Sequence, residues 1–325
     1  MCNFFIKGNF SKLIGSFFML LFTTYAMAQT KTVTFLVPFA PGGPSDQVAR
    51  AIAQKVSSNT GWSVLVDNKP GGGGQIGANA LKLAPADGKT IFIGDIGVLA
   101  VNKSLYKSLS FDTLKDFQPL TLAARSPMLL LVPGSSSAKT PADIVRESKS
   151  ASQGVSYASQ GIGIGGHLLG EMFKSQTNAN FVHIPYKGAA PAVQDLLAGR
   201  VGFLFEVPAA TLQHVKEGKL KALAVASDKR TTLLPDLPTM NEAGMPNVSM
   251  DIWWGIVAKA GTSLEDTTAL NKALKDAIDS EELKTRFASL GIYLQSSTPT
   301  ELGALFSSEI PRLGKVVRDS GASVD

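Results

Sequence analysis

Two kinds of segment alternate along this chain: short apolar runs, and longer stretches with apolar residues three or four positions apart. The run at 33–37 (VTFLV) is nearly all β-branched or aromatic, as expected for a strand covered on both faces of a sheet. It stops at Pro38, which cannot donate to a strand ladder. Gly42, Gly43 and Pro44 then predict a tight turn into a helix. A helix N-terminus that follows glycines is a favourable place for an anion.

The same order of strand, loop and helix recurs through the first half of the chain. Further strands are predicted at 64–67, 90–94, 117–122 and 128–132. A second glycine loop, at 68–78, leads into a short helix. This repetition is typical of a doubly wound, mainly parallel sheet. Residues 133–137 (PGSSS) then break the pattern, as a linker would.

The pattern restarts after this break and ends in helices. Strands are predicted at 155–159, 181–184, 201–206 and 220–226, with a glycine loop at 160–167. Thr140, Ser263 and Thr298 each begin a capping motif at a helix start. The final helix carries apolar residues at spacings of three and four between Leu302 and Val317. We therefore predict two domains, the first formed by 29–128 with 249–325 and the second by 129–248.

The N-terminus reads as a targeting segment. Lys7 and Lys12 precede an apolar run at 13–22, and Ala26 and Ala28 are small residues of the kind that a signal peptidase recognises. We predict a signal peptide at 1–28, cleaved near Ala28, and export to the periplasm. An uncleaved anchor is disfavoured because the apolar run is shorter than the roughly 20 residues that a spanning helix needs.

Composition excludes several classes of protein. The single cysteine, Cys2, lies in the predicted signal peptide, so the mature chain has no disulfide, thiolate metal site or thiol nucleophile. Removing that segment lowers the formal charge from +5 to about +3. The chain has no basic run, which argues against a nucleic-acid-binding protein. Neither a nucleophile elbow, a zinc-protease motif nor a phosphate-loop lysine is present. We therefore predict no enzyme, no cofactor and no metal.

The glycine loop after the strand at 155–159 has a specific pattern. Gly161, Gly163 and Gly166 match the dinucleotide fingerprint, but residues 181–187 lack the acid that would bind the ribose. We reject dinucleotide binding and keep the helix N-terminus as a site suited to a carboxylate. For His167, which lies in this loop, ligand contact and loop bracing stay equally open.

The other candidate residues have plain structural interpretations beside the functional ones. His183 and His214 are predicted to be structural. The tryptophans at 253–254 are interpreted as part of a core strand rather than as a ligand wall. Glu206 ends a strand, where an α/β sheet presents side chains to a cleft, although a solvated charge or a lysine partner is the alternative. Asp46 has the equally plain role of a helix-cap acid.

Residues 38–46 (PFAPGGPSD) resemble the Pro-Phe-x-x-Gly-Gly-x-x-Asp loop of the Bug-type extracytoplasmic receptors of tripartite tricarboxylate transporters. Segments similar to later parts of that family follow in the same order at 68–78, 84–88, 183–188, 234–239 and 254–262. The likeness covers essentially the whole mature chain. It implies a two-lobed periplasmic binding protein fold that closes on a small organic acid, with two chain crossings between lobes. Each lobe would be a doubly wound, mainly parallel sheet flanked by helices.

The resemblance also implies where a ligand binds, because in that family backbone groups of two glycine loops hold a carboxylate. The implied ligand-binding residues are Phe39, Ala40, Gly42, Gly43, Ser45, Asp46, Gly161, Gly163, Ile164, Gly165, Gly166, His167, Tyr186, Lys187, Gly188 and Glu206. Asp46 is expected to brace its loop rather than to touch the ligand. Ile164 stands where the family often has a hydroxyl side chain, and Glu206 where an aspartate is common.

These departures suggest a class of ligand. If Glu206 lines the pocket, an ionised tricarboxylate such as citrate would meet a like charge in a cleft of low effective dielectric. We therefore expect a monocarboxylate, a dicarboxylate or a zwitterion with an amine.

The resemblance implies a monomeric receptor that delivers this small organic acid to membrane permease subunits. A second interpretation is a ligand-sensing protein that closes on the same ligand and signals to a partner sensor domain. The sequence leaves both open, because each needs the same closing clamp. A third, an exported hydrolase on this fold, is disfavoured by the absence of a catalytic motif.

Overall fold

The computed structural model describes Met1 and residues 31–324. Apart from Met1, the predicted signal peptide and its cleavage site lie outside the described residues. The strands are β1 Thr32–Val37, β2 Ser63–Asn68, β3 Thr90–Asp95, β4 Phe117–Ser126, β5 Leu129–Pro133, β6 Val155–Ser159, β7 Phe181–Pro185, β8 Phe203–Glu206, β9 Leu220–Val225, β10 Ile252–Lys259 and β11 Tyr293–Leu294. The α-helices are α1 Pro44–Thr60, α2 Gln75–Leu83, α3 Asn102–Leu105, α4 Thr113–Asp116, α5 Pro141–Ser150, α6 Gly165–Thr177, α7 Ala189–Leu197, α8 Pro208–Lys216, α9 Leu264–Ile278, α10 Glu281–Ala288 and α11 Pro299–Ser320.

The strands form two sheets with helices packed beside them. The first sheet has the order β11-β4-β10-β3-β1-β2 and the second the order β7-β6-β8-β5-β9. In the first sheet β1 to β4 share one direction, and in the second β6 to β9 do. One strand of opposite direction is inserted in each, β10 between β3 and β4 and β5 between β8 and β9, and β11 at the edge of the first sheet also runs opposite to β4. The predicted two-lobed α/β architecture is confirmed, with sheets that are mixed because of these inserted strands.

The chain passes between the sheets twice, at 127–128 and again between β9 and β10. The prediction of a linker at 133–137 is wrong. Pro133 ends β5, and the Gly134 N–H donates to the carbonyl of Lys219 at 2.8 Å, so this segment turns within the second lobe. Proline, glycine and serine mark turns as well as linkers. The actual first crossing is only two residues long and has no such signal.

The strands that share a direction end where the chain changes lobes. Trp254, near the start of β10, pairs with Asp95 at the end of β3, and Leu129 at the start of β5 pairs with Glu206 at the end of β8. The loops that follow β1 and β6 therefore begin on the same edges as the two crossings. This carboxyl edge is where open α/β sheets bind ligands.

The tryptophan pair belongs to the core, as the sequence predicts. Trp253 and Trp254 lie in β10 with exposures of 1% and 4%. The Trp253 ring packs on Phe306 of α11 at a centroid distance of 5.8 Å. Because successive side chains of a strand point to opposite faces, Trp254 points to the other face of the sheet.

Within the part of the chain that the structure describes, every helix is too short or too polar to cross a membrane.

Candidate functional site

The loop between β1 and α1 is held by a buried carboxylate. Oδ2 of Asp46 accepts hydrogen bonds from the Gly42 N–H and from Nε of Arg50, both at 2.9 Å. Its Oδ1 accepts one from Nδ2 of Asn68 at 2.9 Å, and the same Asn68 amide donates to the Phe39 carbonyl at 2.9 Å. Asp46 is only 3% exposed. Its oxygens are therefore occupied by the loop itself.

The pKa of Asp46 reflects these contacts. Burial alone would raise the pKa, but the hydrogen bonds from Arg50, Gly42 and Asn68 and the Arg50 charge outweigh burial and hold the pKa below its usual range. Asp46 therefore stays ionised and fixes the loop at neutral pH. Gly42 has φ of +90°, a conformation that side chains other than glycine rarely adopt.

The same loop opens α1 with free donors. Gly43 is the N-cap and Pro44 the first helical residue, as predicted. The next N–H groups, those of Ser45 and Asp46, cannot be satisfied by the helix, and the helix dipole adds positive potential there. The Ser45 hydroxyl accepts a buried hydrogen bond from Nε1 of Trp254 at 2.8 Å. This end of α1 can therefore receive an anion.

The loop between β6 and α6 has its own internal support. The Gly163 N–H donates to Nδ1 of His167 at 3.0 Å, and the His167 ring stacks on His183 at 3.9 Å between centroids. Nε2 of His183 lies 2.6 Å from Oγ of Ser159, which in turn donates to the Gly161 carbonyl at 3.0 Å. The sequence left ligand contact and loop bracing open for His167, and the hydrogen bond from Gly163 is a bracing contact.

The imidazole rings of His167 and His183 are uncharged at neutral pH. Burial lowers the pKa of His167. Burial, with the nearby His167 and Lys174, lowers the pKa of His183 to about 3. The loop is thus held without charge. Gly165 and Gly166 supply the unsatisfied first-turn N–H groups of α6, the counterpart of the α1 terminus in the other lobe.

Glu206 lies beneath this second loop. It is 3% exposed, and its carboxylate accepts hydrogen bonds from Nε2 of Gln160 at 2.6 Å and from the Val207 N–H at 2.9 Å. Burial raises its pKa to about 7, against the lowering effect of those two bonds. Neither alternative to a cleft role fits: Glu206 is not a solvated charge, and it has no lysine partner among the described residues. The Glu206 carboxylate is therefore occupied by the loop that it supports.

The segment 186–188 is tied to the second loop through its backbone. The Tyr186 N–H donates to the Ser159 carbonyl and the Gly188 N–H to the Gln160 carbonyl, both at 3.0 Å. The Tyr186 hydroxyl donates to Asp195 at 2.6 Å, and Lys187 is exposed. Among the candidate ligand-binding residues, Lys187 therefore has its charged side chain exposed to solvent.

The two lobes approach each other at the second loop. A Cβ placed on Gly163 would lie 2.3 Å from Cδ2 of Leu105, the last residue of α3 in the other lobe. Ile162 and Ile164 of the same loop expose 41% and 44% of their surface. The loop thus combines backbone donors with apolar side chains. The described residues contain no cluster of histidine, cysteine or acid side chains that could hold a metal.

Sequence reasoning missed two residues at this edge. Asp95 ends β3, accepts a hydrogen bond from the Val98 N–H at 3.0 Å, and has its pKa raised by burial to about 6. The strand-end rule that singled out Glu206 would have found it if β3 had been predicted one residue longer. Trp254 was assigned to the core alone, and nothing in its spacing indicates the contact with Ser45.

Comparison with known proteins identifies the protein family to which this chain belongs. The profile of the tripartite tricarboxylate transporter family receptor matches residues 48–321. The chain is 34% identical over 295 residues to protein BugT of Bordetella pertussis, with 90% of each chain covered. The structure of R. palustris Rpa4515 with adipate has a TM-score of 0.82 and 33% identity, and covers 91% of this chain and 99% of its own.

A second solved structure, MatC (Rpa3494) from Rhodopseudomonas palustris with bound malate, has a TM-score of 0.77 and 31% identity. It covers 88% of this chain and 98% of its own. The two-lobed periplasmic binding protein fold follows from these likenesses and from the two sheets described above. The chain therefore belongs to the tripartite tricarboxylate transporter receptors of the Bug type, which are periplasmic solute-binding receptors and not enzymes.

Proposed function

We propose that this chain binds a small carboxylate-bearing molecule in the cleft between its lobes and delivers it to the permease subunits of a tripartite tricarboxylate transporter. The observation that carries this proposal is the pair of glycine loops, one at the start of α1 and one at the start of α6, on carboxyl edges of different sheets. Each loop directs unsatisfied N–H groups and a helix dipole outward. Each is held from behind, by Asp46 in one lobe and His167 in the other.

The proposed contacts divide the candidate residues by role. The unsatisfied first-turn N–H groups, those of Ser45 and Asp46 in α1 and of Gly165 and Gly166 in α6, receive the carboxylate. The side chains of Asp46 and His167 keep the two loops in place. The segment 186–188 and Glu206 shape the far side of the cleft. Adipate and malate are the acids named with two related structures, and both are small carboxylates. They are therefore the first probes to use.

The surroundings of the cleft favour a ligand of low negative charge. Ile162 and Ile164 of the second loop expose apolar surface, and Asp95 and Glu206 end strands on the two carboxyl edges. Above their raised pKa values, about 6 for Asp95 and about 7 for Glu206, both carboxyl groups are ionised and disfavour an ionised tricarboxylate. We propose a monocarboxylate, a dicarboxylate or a zwitterion with an amine as the ligand.

The proposal extends to the organisation of the mature protein. We propose a signal peptide cleaved near Ala28, a monomer, and a first domain of 29–128 with 249–325 around a second of 129–248. N-terminal sequencing of exported protein and its mass in solution test the first two statements. A mature N-terminus that still contains the apolar run at 13–22 would overturn the cleavage.

Mass spectrometry of the small molecule released from freshly purified protein tests the proposed function. A carboxylate-bearing molecule at near-stoichiometric amount supports it, and a ligand without a carboxyl group overturns it. Deleting the permease genes then separates uptake from signalling. Lost uptake supports delivery, whereas unchanged uptake with lost gene induction supports the sensor interpretation.

A further inference from the structure

The contact between Trp254 and Ser45 joins two distant parts of the first lobe. Nε1 of Trp254 donates to Oγ of Ser45 at 2.8 Å, although the two residues are 209 positions apart. Both are almost fully buried, with exposures of 4% and 5%. One residue lies in the inserted strand β10 and the other in the first turn of α1. The hydrogen bond therefore fixes the entrance of α1 against the centre of the sheet.

The backbone of Trp254 is held by a strand on each side. In β10, Trp254 pairs with Asp95 of β3 on one side and with Ala124 of β4 on the other. The register with β4 shifts between Trp254 and Gly255. Such irregularities in a strand pair re-aim a side chain. The neighbouring Trp253 points to the opposite face and lies 3.5 Å from Glu309 through its own Nε1.

The hydrogen-bonding capacity of the Ser45 hydroxyl limits the direction in which its hydrogen atom can point. A serine hydroxyl has one hydrogen to donate and two lone pairs to accept with. The Trp254 N–H takes up an acceptor site, so the hydroxyl hydrogen must point elsewhere. No acceptor for the hydroxyl hydrogen of Ser45 is found in the described part of the chain. The hydroxyl group lies in the first turn of α1, beside the N–H groups that the helix leaves unsatisfied.

We propose that Trp254 is a positioning residue for ligand binding: by donating to Ser45 it directs the Ser45 hydroxyl hydrogen toward the bound carboxylate. This inference rests on the proposed function, since it needs a carboxylate at the α1 terminus. The hydroxyl adds a charge-assisted hydrogen bond to the backbone donors of the loop. Trp254 does not itself touch the ligand.

The alternative is that Trp254 is only a core residue whose N–H requires an acceptor, as buried tryptophans generally do. A double-mutant cycle separates the two, because coupled residues have non-additive effects. The variants are Trp254→Phe, which keeps an aromatic ring and removes the N–H, Ser45→Ala, and the double variant. Trp253→Phe is the matched control, since it makes the same change on the other face of β10.

The measurement is the dissociation constant for malate and for adipate by calorimetry, with the thermal unfolding of each variant. We expect Trp254→Phe and Ser45→Ala each to weaken the better-bound acid by about tenfold, the usual effect of losing one hydrogen bond to a charged group. The double variant should bind no more weakly than Ser45→Ala, and Trp253→Phe should stay within about twofold. Unchanged affinity in folded Trp254→Phe, or additive losses in the double variant, overturns the inference.

A measurement on the unaltered protein covers the case in which Trp254→Phe does not fold. The indole N–H resonance of Trp254, assigned by its displacement in Ser45→Ala, should move when the acid is added, because hydrogen bonds in a chain polarise one another. A resonance that stays in place at saturating acid overturns the inference and leaves the proposed function intact. If the unaltered protein binds neither acid nor any other carboxylate, the proposed function fails and this inference fails with it.

Discussion

The carboxylate of Asp46 and the side-chain amide of Asn68 meet at 2.9 Å, and this contact joins the first glycine loop to the end of β2. Arg50 completes the arrangement by donating to both residues at 2.9 Å. A buried acid, an amide and a guanidinium thus close a ring behind the Gly42 turn. We expect the geometry of the loop, and with it the proposed binding of a carboxylate, to depend on this ring.

Replacing Asp46 by Asn should destabilise the fold and weaken ligand binding together. The substitution puts an amide among three donors and leaves buried groups unsatisfied, which we expect to lower the free energy of unfolding by about 2 kcal/mol. Chemical unfolding measures the first effect and calorimetry with malate or adipate the second. Asp67→Asn is the control, because its ion pair with Lys69 is about two-fifths exposed on each side and should contribute less than about 0.5 kcal/mol.

The pH dependence of that difference follows from the lowered pKa of Asp46. An acid with a lowered folded-state pKa contributes stability above its unfolded pKa, and this contribution is lost as the pH falls through the folded pKa. The stability difference between the unaltered protein and Asp46→Asn should therefore be constant from pH 6 to 8 and shrink in acid below about pH 4. A difference that is independent of pH down to acid unfolding would contradict the account.

Glu206 should show the opposite pH dependence. Its pKa is raised from 4.5 to about 7, so the folded state holds a proton that the unfolded state has lost between those values. Stability should fall as the pH rises from about 5 to 8, by a few kcal/mol at most. Glu206→Gln should flatten this slope, as measured by chemical unfolding at several pH values. An unchanged slope in Glu206→Gln would show that another group titrates.

Gly163→Ala should disrupt the second loop more than a comparable substitution elsewhere. Gly163 and Gly61 have similar φ values, +76° and +73°, but only at Gly163 would the new Cβ meet a neighbour, Leu105 at 2.3 Å. Gly61→Ala reports backbone strain alone, of about 1 kcal/mol. Gly163→Ala should lose more stability than that and at least tenfold in affinity for the acid.

A second substitution identifies the cause of that loss. Leu105→Ala removes the atoms that the new methyl group would strike, so the pair Gly163→Ala with Leu105→Ala should recover part of the affinity. Equal losses for Gly163→Ala and Gly61→Ala would instead show that the contact between the lobes is unimportant.

Much of the fold could be predicted because its signals are local. The strands that flank each glycine loop and the capping motifs at Thr140 and Thr298 depend on neighbouring residues, and the structure reproduces them. The insertion of β10 between β3 and β4 could not be predicted, since strand order is set by contacts far apart in sequence.

The candidate site was predictable to the same extent. Glycine loops at helix starts are visible in the sequence, and so is the acid at position 46. The partners that hold them are not: Trp254 reaches Ser45 across 209 positions, and His183 reaches Ser159 across 24. Such side-chain contacts follow from packing, which no spacing rule encodes.

The charge of the ligand should determine how strongly it stabilises the protein. In a thermal-shift panel at pH 8, above the raised pKa values of Asp95 and Glu206, monocarboxylates, dicarboxylates and amino acids should include the strongest stabilisers. Citrate should stabilise less, because these two ionised carboxyl groups end strands near the cleft. Binding at a concentration 100 times the dissociation constant stabilises by about 2.7 kcal/mol, which such a panel detects. Strong stabilisation by citrate, with none from the smaller acids, would reject the proposed ligand class.

The central claim is that the two helix termini hold a carboxylate, and paired calorimetric titrations test it most directly. Each acid of the panel, beginning with malate and adipate, is titrated beside its neutral amide, which has a similar shape but no negative charge. The account predicts that at least one acid binds and that its amide binds at least 100-fold more weakly, since charged groups make the stronger hydrogen bonds. Equal binding of an acid and its amide, or binding of amides alone, would contradict the account.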